Sequence, residues 1–548
     1  MVEYATRRPE VEARWADNPA LARFSRETIP PEACHAIASA MTGYHDLHRR
    51  LRADGNGGTM IHSRKDSTSM LLTLVTLVVV MMHAAPALGA AASARTATVF
   101  LSTQSSSPDY LYPWQRADTE ESSGSGVIIE GNRILTNAHV VLHAVMVEVK
   151  REGLARSVAA KVVHICHACD LALLEVDAPA LFEGVTPLSL GELPDLQDEV
   201  QVYGYPVGGE ALSVTSGVVS RIETGMYSHS WEELLLAQID ASINPGNSGG
   251  PVVADGKLVG IATQSLEDAE NVGYIIPVPV IRHFLDDIAD GSVDGFPLLG
   301  IEYQNIENEA LRRSLRLPDE LTGVLINRVN HGSPAWGVLQ PKDVLVSVDG
   351  SAISENQNVK LDGGAQVDFA HLIRMRQIGD RLPAEVWRDG KLQKVTWTLN
   401  PWRPLVPDMR YSEAPRYFIF AGLVFQPLSL EYLANQEDLP DSLARFYSYE
   451  NLRTPERSEV VFVSGVLKHP GNKGYEWAED LYVTHVGGTL LRDFQQLVDL
   501  LEAAQGPLVE LRTEMGGVIV LDVALARESS DELLRSYGIL SDRSEGLD

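Results

Sequence analysis

A serine flanked by glycines stands out in the stretch "ASINPGNSGGPVV" at 241–253. Gly246, Gly249 and Gly250 surround Ser248, and glycine allows positive φ values and close approach to neighbouring backbone. The valines that follow resume a strand, so we expect Ser248 on a sharply bent loop held by a sheet. An ordinary surface turn uses the same residue types. A nucleophile requires in addition a general base and an acid that orients that base.

Both partners have candidates earlier in the chain. The stretch "RILTNAHVV" ends a predicted strand at His139, and "HACDLALLEV" places Asp170 directly before an apolar strand. Each residue alone is ordinary at a strand end or turn. The order His139, Asp170, Ser248 is that of the chymotrypsin-type triad and differs from the orders in subtilisin and in α/β-hydrolases. Together, on an all-β scaffold, the three predict nucleophilic catalysis.

The elements that must position this triad are short β-runs separated by turns between residues 95 and 290. Many short strands at this spacing predict an all-β barrel or sandwich. Two further modules follow at 297–400 and 415–528, each with an opening apolar strand, a Gly-containing turn, a helix and a closing strand pair. The Pro-rich "NPWRPLVPD" separates them.

The N-terminal part has a different character. Residues 1–68 are of mixed charge and predict a poorly ordered segment. Residues 69–92 have a basic flank, an apolar core and small residues after it, as in a signal peptide. The core is shorter than the roughly 20 residues that span a bilayer. We expect an export signal in preference to the alternative, a buried core helix. The signal would be a cleaved one, with Met60 as the true start, or an anchor that attaches the chain to a membrane through residues 70–88. Both predict a non-cytosolic compartment such as the secretory pathway or an organelle lumen.

Composition narrows the function classes. The chain has 548 residues and a net charge of −29, which argues against nucleic acid as the main partner because phosphate binding needs a basic face. Three cysteines do not make a disulfide scaffold. Cys166, His167 and Cys169 lie close in sequence, but a zinc site needs a second ligand pair at suitable spacing. We therefore predict no metal and no cofactor.

Several stretches resemble one protease family: "SGSGVIIEGNRILTNAHVV", "CDLALLEVD", "YGYPVGG", "SVTSGVVSRIE", "QIDASINPGNSGGPVV" and "NVGYIIPVPVI". They are similar to the protease domain of the HtrA/Deg serine endopeptidases, and the two later modules resemble that family's PDZ domains, the second of the divergent plant and algal type. The resemblance implies a mainly β chain with a chymotrypsin-like double β-barrel and two PDZ-like α+β domains. It also implies ATP-independent proteolysis for protein quality control by a homo-oligomer, often built on trimers.

The resemblance assigns roles by position. Ser248 is expected to be the nucleophile, His139 the general base and then acid, and Asp170 the group that fixes the imidazole tautomer. The N–H groups of Gly246 and Ser248 are expected to form the oxyanion hole.

A specificity pocket is expected from Ser242, Ile243 and the opposite strand "GIATQ", which begins near Ile261. Trypsin-like members of this fold have an aspartate six residues before the nucleophile, which pairs with a Lys or Arg side chain of the substrate. That position is Ser242 here, so we predict cleavage after small or medium aliphatic residues. The nearby Asp240 would change this prediction if it lined the pocket.

The first PDZ-like module is predicted to bind an extended peptide through Leu298, Leu299, Gly300 and Ile301 by strand addition. A core strand would show the same sequence. In the second such module, a long helical insertion after "FAGLVF" leaves peptide capture open. The predicted partners are protein and peptide substrates and further copies of the chain. A rival function is a catalytically idle PDZ scaffold or chaperone, and the intact triad argues against it.

Overall fold

A computed structural model of the chain describes residues 93–547 apart from 207–210, 266–271, 362, 408, 410, 412, 437–439, 449 and 515. The expectations for residues 1–68 and 69–92 fall outside the described residues. No helix among those that are described is both long and apolar enough to cross a membrane.

The first barrel closes with six antiparallel strands in the order β1-β2-β3-β6-β5-β4. Along β1 the buried Val99, Leu101 and Thr103 alternate with more exposed residues, as in a strand with one face on a core. In β6 the first four residues are all buried, so both faces of this strand are covered. The strands are β1 (Thr98–Ser105), β2 (Glu120–Ile129), β3 (Arg133–Thr136), β4 (Ala144–Arg151), β5 (Val158–Cys166) and β6 (Leu171–Glu175).

The second barrel has the same design, with the order β10-β11-β12-β9-β8-β7. Its core is aliphatic, and Leu235, Ile239, Val252 and Ile275 have no exposed surface. The strands are β7 (Glu199–Gly204), β8 (Ser213–Met226), β9 (Glu233–Ile239), β10 (Pro251–Ala254), β11 (Lys257–Ser265) and β12 (Gly273–Pro277).

A helix and a mixed α+β module follow the barrels. Helix α1 (Val278–Asp287) packs Val280 and Phe284 into the core. The module has a sheet ordered β13-β14-β15-β19-β20, a short strand β16 on β15, and a separate β17–β18 hairpin. Its elements are β13 (Ile301–Gln304), α2 (Glu309–Leu315), β14 (Val324–Val329), β15 (Val344–Val348), β16 (Ser351–Ala352), β17 (Asn358–Lys360), β18 (Gln366–Asp368), α3 (Ala370–Arg374), β19 (Arg381–Arg388) and β20 (Lys391–Thr398).

The last module combines a three-stranded sheet, β21-β22-β23, with a four-stranded sheet, β25-β24-β26-β27. Between β22 and β23 lie the two helices that the long insertion indicated. The elements are β21 (Phe418–Phe420), β22 (Leu423–Pro427), α4 (Leu430–Ala434), α5 (Asp441–Ser448), β23 (Val461–Val466), β24 (Val483–Val486), β25 (Thr489–Leu490), α6 (Phe494–Glu502), β26 (Leu508–Thr513), β27 (Val518–Asp522), α7 (Val523–Glu528) and α8 (Ser530–Tyr537).

The modules contact the barrels through side chains that the sequence does not mark. The loop between β1 and β2 packs Trp114 on Tyr417, with ring centroids 6.0 Å apart, and Leu111 on an apolar cluster of the last module. Arg374 of α3 forms an ion pair of 2.5 Å with Glu232, and both side chains are largely buried. The predicted fold class, a double β-barrel with α+β modules downstream, is confirmed.

Candidate active site

His139 and Asp170 meet where the loops of the first barrel face the second. His139 begins a short 3-10 helix that two residues separate from β3, and Asp170 directly precedes β6, which pairs with β3. The imidazole Nδ1 lies 2.8 Å from Oδ2 and 3.0 Å from Oδ1 of Asp170. The backbone N–H of His139 also donates to Oδ1, at 2.9 Å. Two neighbouring strand ends therefore fix the pair.

The electrostatics of this pair follow from burial and charge. Asp170 is 1% exposed. Burial alone would raise the pKa of its carboxyl, but the charge of His139 and the hydrogen bonds from it lower this pKa to about 2. Burial alone would lower the pKa of His139, but the Asp170 charge and hydrogen bond raise it above its ordinary value. The carboxylate thus stays ionised at neutral pH and increases the basicity of the imidazole.

A third residue, Thr263 of β11, contacts the carboxylate of this pair. Its hydroxyl donates to Oδ2 of Asp170 at 2.7 Å, and the residue is 7% exposed. No sequence signal marks Thr263 as part of the site, although it lies in the strand "GIATQ". A threonine in a strand is common, and only the closure of two barrels brings positions 170 and 263 together.

Ser248 lies on the bent loop before β10, next to the same strand. Its hydroxyl donates to the backbone carbonyl of Thr263 at 3.2 Å, and its own carbonyl accepts from the N–H of Ser125 at 2.8 Å. Within the described part of the chain, no hydrogen bond joins the Ser248 hydroxyl to the His139 ring. Catalytic hydrogen bonds are often unformed without substrate. Ser248 and Asp170 both contact Thr263 of β11, and His139 contacts Asp170.

The loop geometry explains two of the glycines. Gly246 has φ 95°, and the N–H of Asn247 donates to the carbonyl of Asn244 at 2.9 Å. Proline at the second position and a positive φ at the third describe a type II turn. Gly249 has φ 84°, and a Cβ there would lie 2.1 Å from the carbonyl oxygen of Ser125. A side chain would strain the backbone at both positions, and at Gly249 it would also clash with Ser125.

The N–H groups of Gly246 and Ser248 have no acceptor among the described residues. The carbonyl of Gly246 does have a partner, because the Ser125 hydroxyl donates to it at 2.7 Å. The same hydroxyl accepts from the Tyr205 N–H at 2.8 Å, and these two bonds fix the loop. No described backbone carbonyl therefore competes for the two predicted oxyanion donors.

The predicted pocket residues have different environments. Ser242 is exposed, while Ile243 is 8% exposed and lies against Gly273, where a Cβ would come within 2.8 Å of its Cδ1. Ile261 has no exposed surface and pairs with Ile276 inside the second barrel. The carboxylate of Asp240 accepts from the Val218 N–H at 2.6 Å, so it is bound to β8.

The predicted peptide-binding stretch lies at an edge of the middle module. Leu298 is half-buried, Leu299 is 7% exposed and Gly300 has φ 67°. The Gly300 carbonyl accepts from the Asn330 N–H at 2.9 Å. Ile301 begins β13, which pairs only with β14 in the described sheet. The ring of Tyr303 in the same strand packs on Phe369, with centroids 5.0 Å apart.

In the part of the chain that the structure describes, no three His, Cys, Asp or Glu residues are grouped so as to hold a metal ion. Cys166 and Cys169 are buried free thiols, and burial raises the pKa of Cys169.

Comparisons with known proteins match two parts of the chain to domain families. Residues 124–261 match the family model of a trypsin-like peptidase domain, and 406–546 match that of a PDZ domain. Putative protease Do-like 3, mitochondrial, of Arabidopsis thaliana is 39% identical over 448 residues, 81% of this chain and 79% of the relative. Protease Do-like 2, chloroplastic, of the same plant is 40% identical over 80% of this chain and 73% of its own length. A solved structure, HtrA-type protease AlgW with decapeptide, is 26% identical with a TM-score of 0.43, and the match covers 57% of this chain and 97% of that one.

Proposed function

The chain belongs to the Do-like serine proteases of the HtrA family, and from this membership we propose that it hydrolyses internal peptide bonds of misfolded or specific proteins without ATP. The main support for this mechanism is the hydrogen-bonded series Thr263–Asp170–His139, which lies beside Ser248. A buried carboxylate with two fixed donors holds the imidazole so that Nε2 is free for the serine proton.

The proposed reaction has two halves. Ser248 turns from the Thr263 carbonyl toward His139, attacks the scissile carbonyl and gives its proton to Nε2. The N–H groups of Gly246 and Ser248 stabilise the oxyanion of the tetrahedral intermediate. His139 then protonates the leaving amine, and water hydrolyses the acyl-enzyme by the same path in reverse. Asp170 stays ionised throughout and stabilises the imidazolium.

The proposed specificity is for small or medium aliphatic residues before the cleaved bond. Ile243 against Gly273 makes this region apolar, and the Asp240 carboxylate is already bound to β8. A lysine or arginine head group there would have no counter-charge, which costs several kcal/mol.

The middle module is proposed to bind peptides by strand addition at β13, with the Leu298–Ile301 stretch receiving a terminal carboxylate. The edge position of β13 supports this role. Calorimetry with apolar C-terminal peptides tests it, and Gly300→Val is the matched variant, because a side chain there would meet Ser333 at 2.4 Å. Equal heats for both proteins would contradict the proposal.

Assembly and location are proposed from the family. We propose a trimer-based homo-oligomer. Relatives named mitochondrial and chloroplastic support an organelle as the compartment of this chain too. Residues 70–88 would provide the export signal or anchor, and fractionation of tagged full-length protein tests this assignment.

Degradation of casein by the full chain tests the proposed activity. Wild type should produce fragments without ATP, and Ser248→Ala should produce none, because loss of the nucleophile costs about 10⁶ in kcat in a comparable protease. Unchanged thermal unfolding of the variant is the control. A variant that keeps half of the activity would remove Ser248 from the mechanism.

A further inference from the structure

Three histidines outside the triad gather next to it. The ring of His229 lies 6.1 Å from that of His139, and its Nε2 is 2.9 Å from Nδ1 of His167. The carbonyl of His167 accepts from the N–H of Asp170 at 3.1 Å. His143 follows His139 by four residues. This histidine cluster (His143, His167 and His229) therefore adjoins both members of the acid–base pair.

An aromatic residue from outside the barrels covers the cluster. Tyr411 lies in the segment between β20 and β21. Its ring stacks on His229 with centroids 4.7 Å apart and planes at 23°, and lies 5.4 Å from the ring of His167 and 6.1 Å from that of His143. Its hydroxyl donates to the His229 carbonyl at 3.3 Å. One side chain thus contacts all three histidines.

The covered cluster is uncharged at neutral pH. Burial lowers the pKa of His143 and of His229 to about 4. Burial and the neighbouring His229 lower the pKa of His167 to about 3. The hydrogen bond between His167 and His229 needs one ring to donate and one to accept, which two imidazolium rings cannot do. The neutral cluster adds no positive charge beside His139, so Asp170 dominates its basicity.

We propose that Tyr411 is a positioning residue of the active site, which holds His229 in place beside His139 from outside the two barrels. At the far end of the same segment Tyr417 packs on Trp114, and in β22 of the same module Gln426 donates to the Tyr110 carbonyl at 3.1 Å. Docking of the last module on the barrels is thereby linked to the geometry of the catalytic histidine. This role of Tyr411 rests on the catalytic roles proposed for His139 and Asp170.

Peptide hydrolysis by the full chain tests the role. Tyr411→Ala should lower kcat about three- to tenfold, the size of one aromatic stacking interaction, with KM little changed. Tyr411→Phe keeps the ring and should retain the wild-type kcat. In a His229→Ala background, Tyr411→Ala should have no further effect, because the two act as a unit. Tyr537→Ala, a half-exposed tyrosine in α8, is the matched control and should be neutral.

The outcomes separate the two proposals. If wild type cleaves peptides and Tyr411→Ala has the same kcat, or a higher one, Tyr411 does not support the site. If Tyr411→Ala does not fold, Tyr411→Leu, which keeps the bulk without the stack, decides by the same criterion. If wild type itself neither cleaves peptides nor reacts with a fluorophosphonate at Ser248, the proposed function fails and the role of Tyr411 fails with it.

Discussion

Replacing Thr263 by valine removes one of the two side-chain partners of the Asp170 carboxylate and changes little else. Valine has the same β-branched shape as threonine, and the residue is 7% exposed, so the side chain keeps its place in β11. The lost hydrogen bond of 2.7 Å goes to a charged acceptor, a class that contributes roughly 1.5–3 kcal/mol. If the whole loss falls on the transition state, kcat drops by about ten- to a hundredfold, and KM stays unchanged.

The matched control is Thr98→Val. Thr98 is fully buried in β1 and its hydroxyl donates at 2.8 Å to a neutral carbonyl, that of Ala94, away from the site. Its loss should cost about 0.5–1.5 kcal/mol in unfolding and nothing in kcat. Steady-state kinetics and urea unfolding of both variants provide the comparison. Equal kcat values for wild type and Thr263→Val would refute the claim that Thr263 orients the carboxylate.

Three further predictions concern the same site. Asp170→Asn should lower kcat by about 10⁴, because the amide favours the wrong imidazole tautomer, with single-turnover kinetics as the measurement. In a pH titration of kcat/KM, the acid limb should have its midpoint above 6.5, the ordinary pKa of histidine. The pKa of His139 is raised, so activity is lost as the pH falls through that raised value. A midpoint below 6.5 would contradict this prediction. Mass-spectrometric mapping of casein fragments should show cuts after aliphatic residues, whereas cuts mainly after Lys and Arg would place the pocket elsewhere.

Local sequence signals identify the parts of the site that depend on local backbone. Ser248 is recognisable because its loop has positive-φ glycines at 246 and 249, and a proline occupies the second position of the turn. His139 and Asp170 are recognisable because each lies at the end of an apolar strand. Their chain order then restricts the fold to one of a few triad architectures.

The missing parts depend on long-range closure. Thr263 meets Asp170 across 93 positions, and Tyr411 meets His229 across 182. A threonine in a strand and a tyrosine in a Pro-rich linker have no periodic pattern that marks a partner. The aromatic residues of the loop before β2 also lacked a signal for their contact, and the structure packs Trp114 on the last module of the same chain.

Labelling by a fluorophosphonate tests the central claim most directly, because the reagent reacts only with a serine that has an aligned base and oxyanion donors. The full-length wild-type chain should incorporate one reagent per chain, and peptide mass spectrometry should locate it on Ser248. Ser248→Ala should incorporate none, and Asp170→Asn should react far more slowly. Failure of folded wild-type protein to react, or labelling at a residue other than Ser248, would contradict the assignment of the active site.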